Sequence, residues 1–167
     1  MSDSTQAPAV RPFSKLPSAL TAAVLVAVLD QASKWWIVEK LMQPPRIVPL
    51  TPFLDLVLVH NRGITFGMFN NGGSLQPLLF TALAIVIAAG LLVWLKGVTR
   101  CWVATAIGAI LGGAIGNVLD RLRLGAVVDF IDAHIGDWHW PAFNVADSAI
   151  SVAVVLIAVD ALFSAKE

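Results

Sequence analysis

Asp129 and Asp147 are the residues whose type and placement could do chemistry in this chain. Asp129 sits in Val127-Val128-Asp129-Phe130, and Asp147 closes Phe143-Asn144-Val145-Ala146-Asp147 in the first turns of an apolar stretch. Two close carboxylates cannot both ionise readily, so one keeps a proton and the other gives it up. Such a pair holds an acid and a base at once. The base takes a proton from water, and the acid hydrogen-bonds a scissile carbonyl and later protonates the leaving nitrogen. This chemistry requires no metal and no nucleophilic side chain, so no cofactor is expected. Sequence does not assign the two roles, because the titration belongs to the pair. Asn61, Asn117 and Asn144 could orient the carboxylates or hold a substrate backbone without adding charge. The competing reading of Asp147 is a carboxylate that complements a helix dipole.

The elements that must position these residues follow from composition. Of 167 residues, 57% are hydrophobic and only 13% charged, against about 45–50% and about 25% in soluble domains. Mean hydropathy is +0.79. Lipid is therefore the expected solvent. Four apolar segments, about 16–38, 77–95, 102–122 and 142–163, are long enough to cross a hydrocarbon core of about 30 Å. Lipid offers the backbone no partners, so they are expected to be helices. The six tryptophans lie near expected span ends, as interfacial aromatics do. The first segment has the basic flank of a signal peptide but lacks a clear cleavage site, and reads as a retained anchor. Residues 1–15 and 164–167 read as tails, the first of them disordered.

The loop from 39 to 75 holds four prolines and the run Phe53-Leu54-Asp55-Leu56-Val57-Leu58-Val59-His60, which suggests short strands lying against the membrane or the helices. The expected fold is an all-α integral membrane protein: a four-transmembrane-helix bundle with a small β-rich platform at about 39–75. One loop joins the third and fourth spans, so Asp129 and Asp147 fall at the same membrane face. Charge does not orient the chain. Arg11, Lys15, Lys96, Arg100 and Lys166 on one side oppose Lys34, Lys40, Arg46, Arg62, Arg121 and Arg123 on the other.

Other polar residues in apolar surroundings are candidates for supporting parts. Asp30 and Lys34, four apart, share a helix face and could pair at the interface with Lys34 snorkelling. Gly108, Gly112, Gly113 and Gly116 make a small-residue stripe for close helix packing. Asn117, Asp120 and Arg121 follow it and could form a hydrogen-bonded cluster closing the span. Zero net charge gives no nucleic-acid footprint. Cys101 is a lone thiol, and His60, His134 and His139 lack ligand spacing, so no metal site is expected.

Taken together, these pieces closely resemble lipoprotein signal peptidase, or signal peptidase II, the prolipoprotein aspartyl peptidase family of bacteria. The resemblance is carried by Asp30-Gln-Ala-Ser-Lys34, Asn61-Arg-Gly63-Ile-Thr-Phe66-Gly67, Gly112-Gly-Ala-Ile-Gly-Asn117-Val-Leu-Asp120-Arg121, Val128-Asp129-Phe130 and Phe143-Asn144-Val-Ala146-Asp147. It implies a catalytic pair Asp129 and Asp147. It implies active-site support or substrate contact at Asn61, Gly63, Asn117, Asp120, Arg121, Asn144, Ala146, Asp30 and Lys34. It implies cleavage of diacylglyceryl-prolipoprotein just before the lipidated cysteine, in the bacterial inner membrane. The termini would be cytoplasmic, the platform extracytoplasmic and the active site toward the periplasmic face. Globomycin-type inhibition is implied, and the chain is expected to act as a monomer among membrane lipids. Ile64-Thr65 departs from the smaller residues often seen there. Two rivals stand beside this reading. A transporter subunit would spread polar groups across the membrane depth, and a scaffold would use both aspartates as anchors.

Overall fold

The structure, a computed structural model, describes residues 15–63 and 75–164. The departure at Ile64-Thr65, the motif residues Phe66 and Gly67, and the tails beyond Lys15 and Ser164 lie outside the described residues.

Four helices are long and apolar enough to cross a membrane. Helix α1 spans Leu16–Trp36 and runs on through one π turn, Ile37–Leu41. Helix α2 spans Leu75–Leu95, α3 spans Cys101–Leu124 and α4 spans Val145–Ser164. α3 is the central element: it packs against α1, α2 and α4 and holds most of the buried helical residues. Its glycines allow this. A Cβ on Gly108 would lie 2.1 Å from the carbonyl oxygen of Ala19, and one on Gly112 would lie 2.3 Å from that of Ala23. α1 therefore rests on bare α3 backbone. α3 ends at Gly125, whose φ of 66° lets its N–H turn back to the Arg121 carbonyl.

The other helices turn apolar side chains outward. Val24 is 60% exposed, Val86 69% and Leu162 69%. Water does not tolerate a surface of this kind at such extent, so lipid is the solvent that fits it.

The strands form one antiparallel sheet in the order β1–β2–β3–β4: β1 (Val48–Thr51), β2 (Leu54–Asn61), β3 (Val127–Ile135) and β4 (Trp138–His139). The expectation of strands in the 39–75 loop is met by β1 and β2, but half the strands come from the α3–α4 connection, where the sequence suggests only a loop. Phe130 of β3 is buried with Ile37 and Met42, seating the sheet on the end of α1. His134 and His139 stack across β3 and β4.

The fourth helix begins three residues later than the expected 142. Phe143 instead pairs with Ile131: its N–H donates to the Ile131 carbonyl at 3.0 Å, and its carbonyl accepts the Ile131 N–H at 2.8 Å. Asn144 then caps α4. Its Oδ1 accepts the Asp147 N–H at 2.9 Å, and its own N–H donates to Asp147 Oδ2 at 3.3 Å. This reciprocal pair is a capping box.

Candidate active site

Strand β3 carries Asp129 on the sheet face shared with Asn61. Val59 lies opposite Asp129 and Asn61 opposite Val127, which makes Asn61 and Asp129 diagonal neighbours within side-chain reach. Asn61 Nδ2 donates to Asp129 Oδ2 at 3.0 Å. Asn61 Oδ1 accepts the Gly63 N–H at 3.0 Å. The oxygen end of that amide is thereby occupied, and its NH₂ end faces the carboxylate. This is the structural part of Gly63; it does not line the cavity.

Asn144, fully buried, works the same way. Its Oδ1 is taken by the α4 cap, so its NH₂ points at Asp129 Oδ1 at 2.7 Å. The same NH₂ reaches Asn117 Oδ1 at 3.2 Å and the Val128 carbonyl at 3.3 Å. Asn117 Nδ2 in turn donates to Asp147 Oδ1 at 2.8 Å. Each carboxylate therefore accepts two N–H bonds, and Asn144 touches both. Asp129, Asp147 and Asn61 line one cavity of about 610 Å³. Trp140, Pro141, Ala142 and Phe143 form another wall, and Ser148, Ser151 and Val152 carry the lining along α4.

Burial pushes the Asp129 carboxyl up to about 6; the Asn61 amide opposes this, the nearby Asp147 charge adds to it, and Asn144 and Lys34 oppose it. Asp129 is 2% exposed. A carboxyl in that range can exchange a proton near neutrality.

Beneath the pair lies a buried ionic cluster. Lys34 Nζ lies 2.8 Å from Asp30 Oδ2, 2.7 Å from Asp120 Oδ2 and 3.1 Å from Asn117 Oδ1. Lys34 is 4% exposed and Asp30 0%. The interfacial, snorkelling alternative is thus corrected: the pair exists but points inward, because Gly116 leaves room for Asp30. Asp30 Oδ1 accepts the Ala146 N–H at 3.0 Å, satisfying an orphan donor of α4. Asp120 Oδ2 accepts the Val128 N–H at 3.1 Å, fixing β3 beside Asp129. Ala146 is fully buried, and its carbonyl oxygen lies 2.8 Å from where a Cβ on Gly113 would stand.

Arg121 stands apart. It reaches the Asn117 carbonyl at 3.4 Å and lies over the Phe80 ring, and it forms no ion pair with Asp129 or Asp147 among the described residues. Gln31 was not singled out from sequence, yet its Nε2 bonds Asp120 Oδ1 at 2.9 Å and the Gly116 carbonyl at 3.2 Å. Its place between Asp30 and Lys34 was the available signal. Ser148 and Ser151 line the same cavity without a sequence motif to announce them; Ser151, four residues after Asp147, shares its helix face.

Fold and site together define a class: a polytopic helical membrane protein with two carboxylates lining one cavity at one end of its helices. The family model for signal peptidase (SPase) II matches residues 22–163. A lipoprotein signal peptidase of Pseudomonas aeruginosa is 43% identical over 162 residues, covering 95% of both chains. One from Hydrogenovibrio crunogenus is 44% identical over 138 residues, 81% of this chain and 79% of that one. A bacterial membrane enzyme solved by the in meso method at 2.3 Å resolution superposes with a TM-score of 0.77 at 30% identity, covering 90% of each chain. The chain belongs to the signal peptidase II family and is a membrane protease of lipoprotein maturation. The transporter and scaffold rivals are set aside by this match.

Proposed function

We propose that this protease is an aspartic endopeptidase in which Asp129 and Asp147 activate water to cut diacylglyceryl-prolipoprotein just before the lipidated cysteine. One observation carries the reading: the two carboxylates share a cavity, and the amides of Asn61, Asn117 and Asn144 turn their N–H ends toward them. The ionised carboxylate removes a proton from water, whose oxygen adds to the scissile carbonyl carbon. The protonated carboxyl gives its proton to the carbonyl oxygen. Collapse of the resulting diol returns a proton to the nitrogen as the C–N bond breaks, and the pair again holds one proton.

The cavity supports a lipid-anchored substrate. It continues from Asp147 past Ser151 to Val152, which is 59% exposed on the outward face of α4. A diacylated cysteine can then enter sideways. Extracting its acyl chains would cost about 0.8 kcal/mol per CH₂. In this reading the active site faces the periplasm, the platform is extracytoplasmic, both termini are cytoplasmic, and a globomycin-type inhibitor occupies the same cavity. The protein works as a monomer, and Asp120, Arg121, Asn144 and Ala146 support the pair.

The test is cleavage by the chain reconstituted in bilayers, with products identified by mass. A peptide with diacylglyceryl-cysteine should give a single cut on the N-terminal side of that cysteine, blocked by globomycin, and its unlipidated twin should stay intact. Equal cleavage of the unlipidated peptide, or a cut elsewhere, rejects the assignment.

A further inference from the structure

We propose that Lys34 is a positioning residue for the reaction: it fixes which end of the Asn117 amide faces Asp147. This inference rests on the Asp129–Asp147 pair proposed above. An asparagine amide has two ends of nearly equal size, and only its surroundings decide their direction. A lysine ammonium has three donors and no acceptor. Here all three are spent, on Asp30, Asp120 and Asn117 Oδ1. Reversing the Asn117 amide would set its NH₂ against that ammonium and its oxygen against Asp147 Oδ1, now its hydrogen-bond acceptor at 2.8 Å. Those two bonds would be lost, together with the one Asn144 Nδ2 gives to Asn117 Oδ1 at 3.2 Å, and the Lys34 side of the amide is too buried for water to replace its bond. The cation also polarises the amide, so the N–H given to Asp147 is a stronger donor. Asn61 and Asn144 are oriented by backbone N–H groups. Asn117 Oδ1 accepts from Asn144 Nδ2 and from Lys34 Nζ, and among the described residues it is the one of the three amide oxygens that faces a charged side chain.

The plainer role for Lys34 is to neutralise Asp30 and Asp120. The two roles differ in one respect: positioning acts through Asn117, and neutralisation does not. Removing Lys34 alone strands two buried carboxylates, so the comparison uses an Asp30→Asn background, in which Lys34→Met strands only Asp120 and leaves the cluster with the net charge it has in the unaltered chain. Four full-length proteins are assayed on the diacylated peptide: this background, and the same with Lys34→Met, with Asn117→Ala, and with both. The expected result is a kcat loss of about tenfold or more from Lys34→Met when Asn117 is present, with KM little changed. In the Asn117→Ala background its effect should fall below about twofold. Equal losses in both backgrounds overturn the inference. The pH profile is recorded too, since the charges of Asp30, Lys34 and Asp120 lie beneath the pair and that of Arg121 acts on it from further off.

Asp129→Asn and Asp147→Asn run alongside. Retained turnover in either rejects the pair itself, whereas inactive aspartate variants with equal Lys34→Met losses reject only the role of Lys34. A measurement on the unaltered chain does not depend on whether the variants fold. Solid-state NMR in bilayers, with ¹⁵N in asparagine side chains and ¹³C in lysine and aspartate, should place Asn117 Nδ2 next to Asp147 Cγ. Contact of that nitrogen with Lys34 Cε instead contradicts the proposal.

Discussion

Asp129 sets the pH behaviour of the site. Its carboxyl is pushed up to about 6, and the chemistry needs one protonated member of the pair. The kcat/KM profile should therefore fall as pH rises, with an alkaline limb no lower than about 6 that belongs to the pair and not to Asp129 alone. Asn61 donates to the ionised form of Asp129, so Asn61→Ala should move that limb to higher pH, read from the same profile. Stability follows with a definite sign. A carboxyl raised in the folded state contributes stability in full below the ordinary carboxylate range, and this is lost as pH rises through about 6. Asp129→Asn carries no such charge. It should gain thermal stability on the wild type as pH rises from about 4 through about 6, and a gain on acidification would contradict the assignment.

At the scale of elements, the glycine stripe of α3 is the joint of the fold. Gly108→Ala would push a methyl into the Ala19 backbone, where neither side can yield by rotating a side chain. Overpacking of this kind costs about 1–3 kcal/mol, so thermal unfolding should show a clear loss. Gly90→Ala meets nothing within 4 Å and, lying inside α2, should cost nothing and stabilise by up to about 1 kcal/mol through helix preference. The stripe was legible because packing of this kind needs only local spacing. The partner of β3 was not legible: Asn61 and Val127 pair across a wide gap in sequence, and no local pattern announces a non-local strand. The start of α4 was misplaced because an apolar run extends back through Ala142, although Asn144-x-x-Asp147 carries the cap signal. Asp30 and Lys34 were legible as a pair but not as a buried one, because α1 is apolar on every face and spacing alone does not say which face turns inward.

On the scale of the whole molecule, the site lies where the helix ends meet the sheet, and its cavity runs out along α4. Val152→Trp would fill that passage with an indole. It should lower kcat/KM for the diacylated peptide by about tenfold or more, chiefly through KM if substrate enters sideways, and leave the alkaline limb in place. An unchanged KM would argue for another route of entry. The four spans and the shared face of the two aspartates were legible from length and connectivity. The Gln31 and Lys34 contacts beneath them needed three helices to be packed first.

The most direct measurement is turnover of the diacylated peptide in bilayers by Asp129→Asn and Asp147→Asn, each verified as folded. If the two carboxylates share one proton and hand it to the substrate, each variant should lose at least about a hundredfold in kcat. Turnover within about tenfold of wild type in either variant would mean that the pair does not carry the reaction.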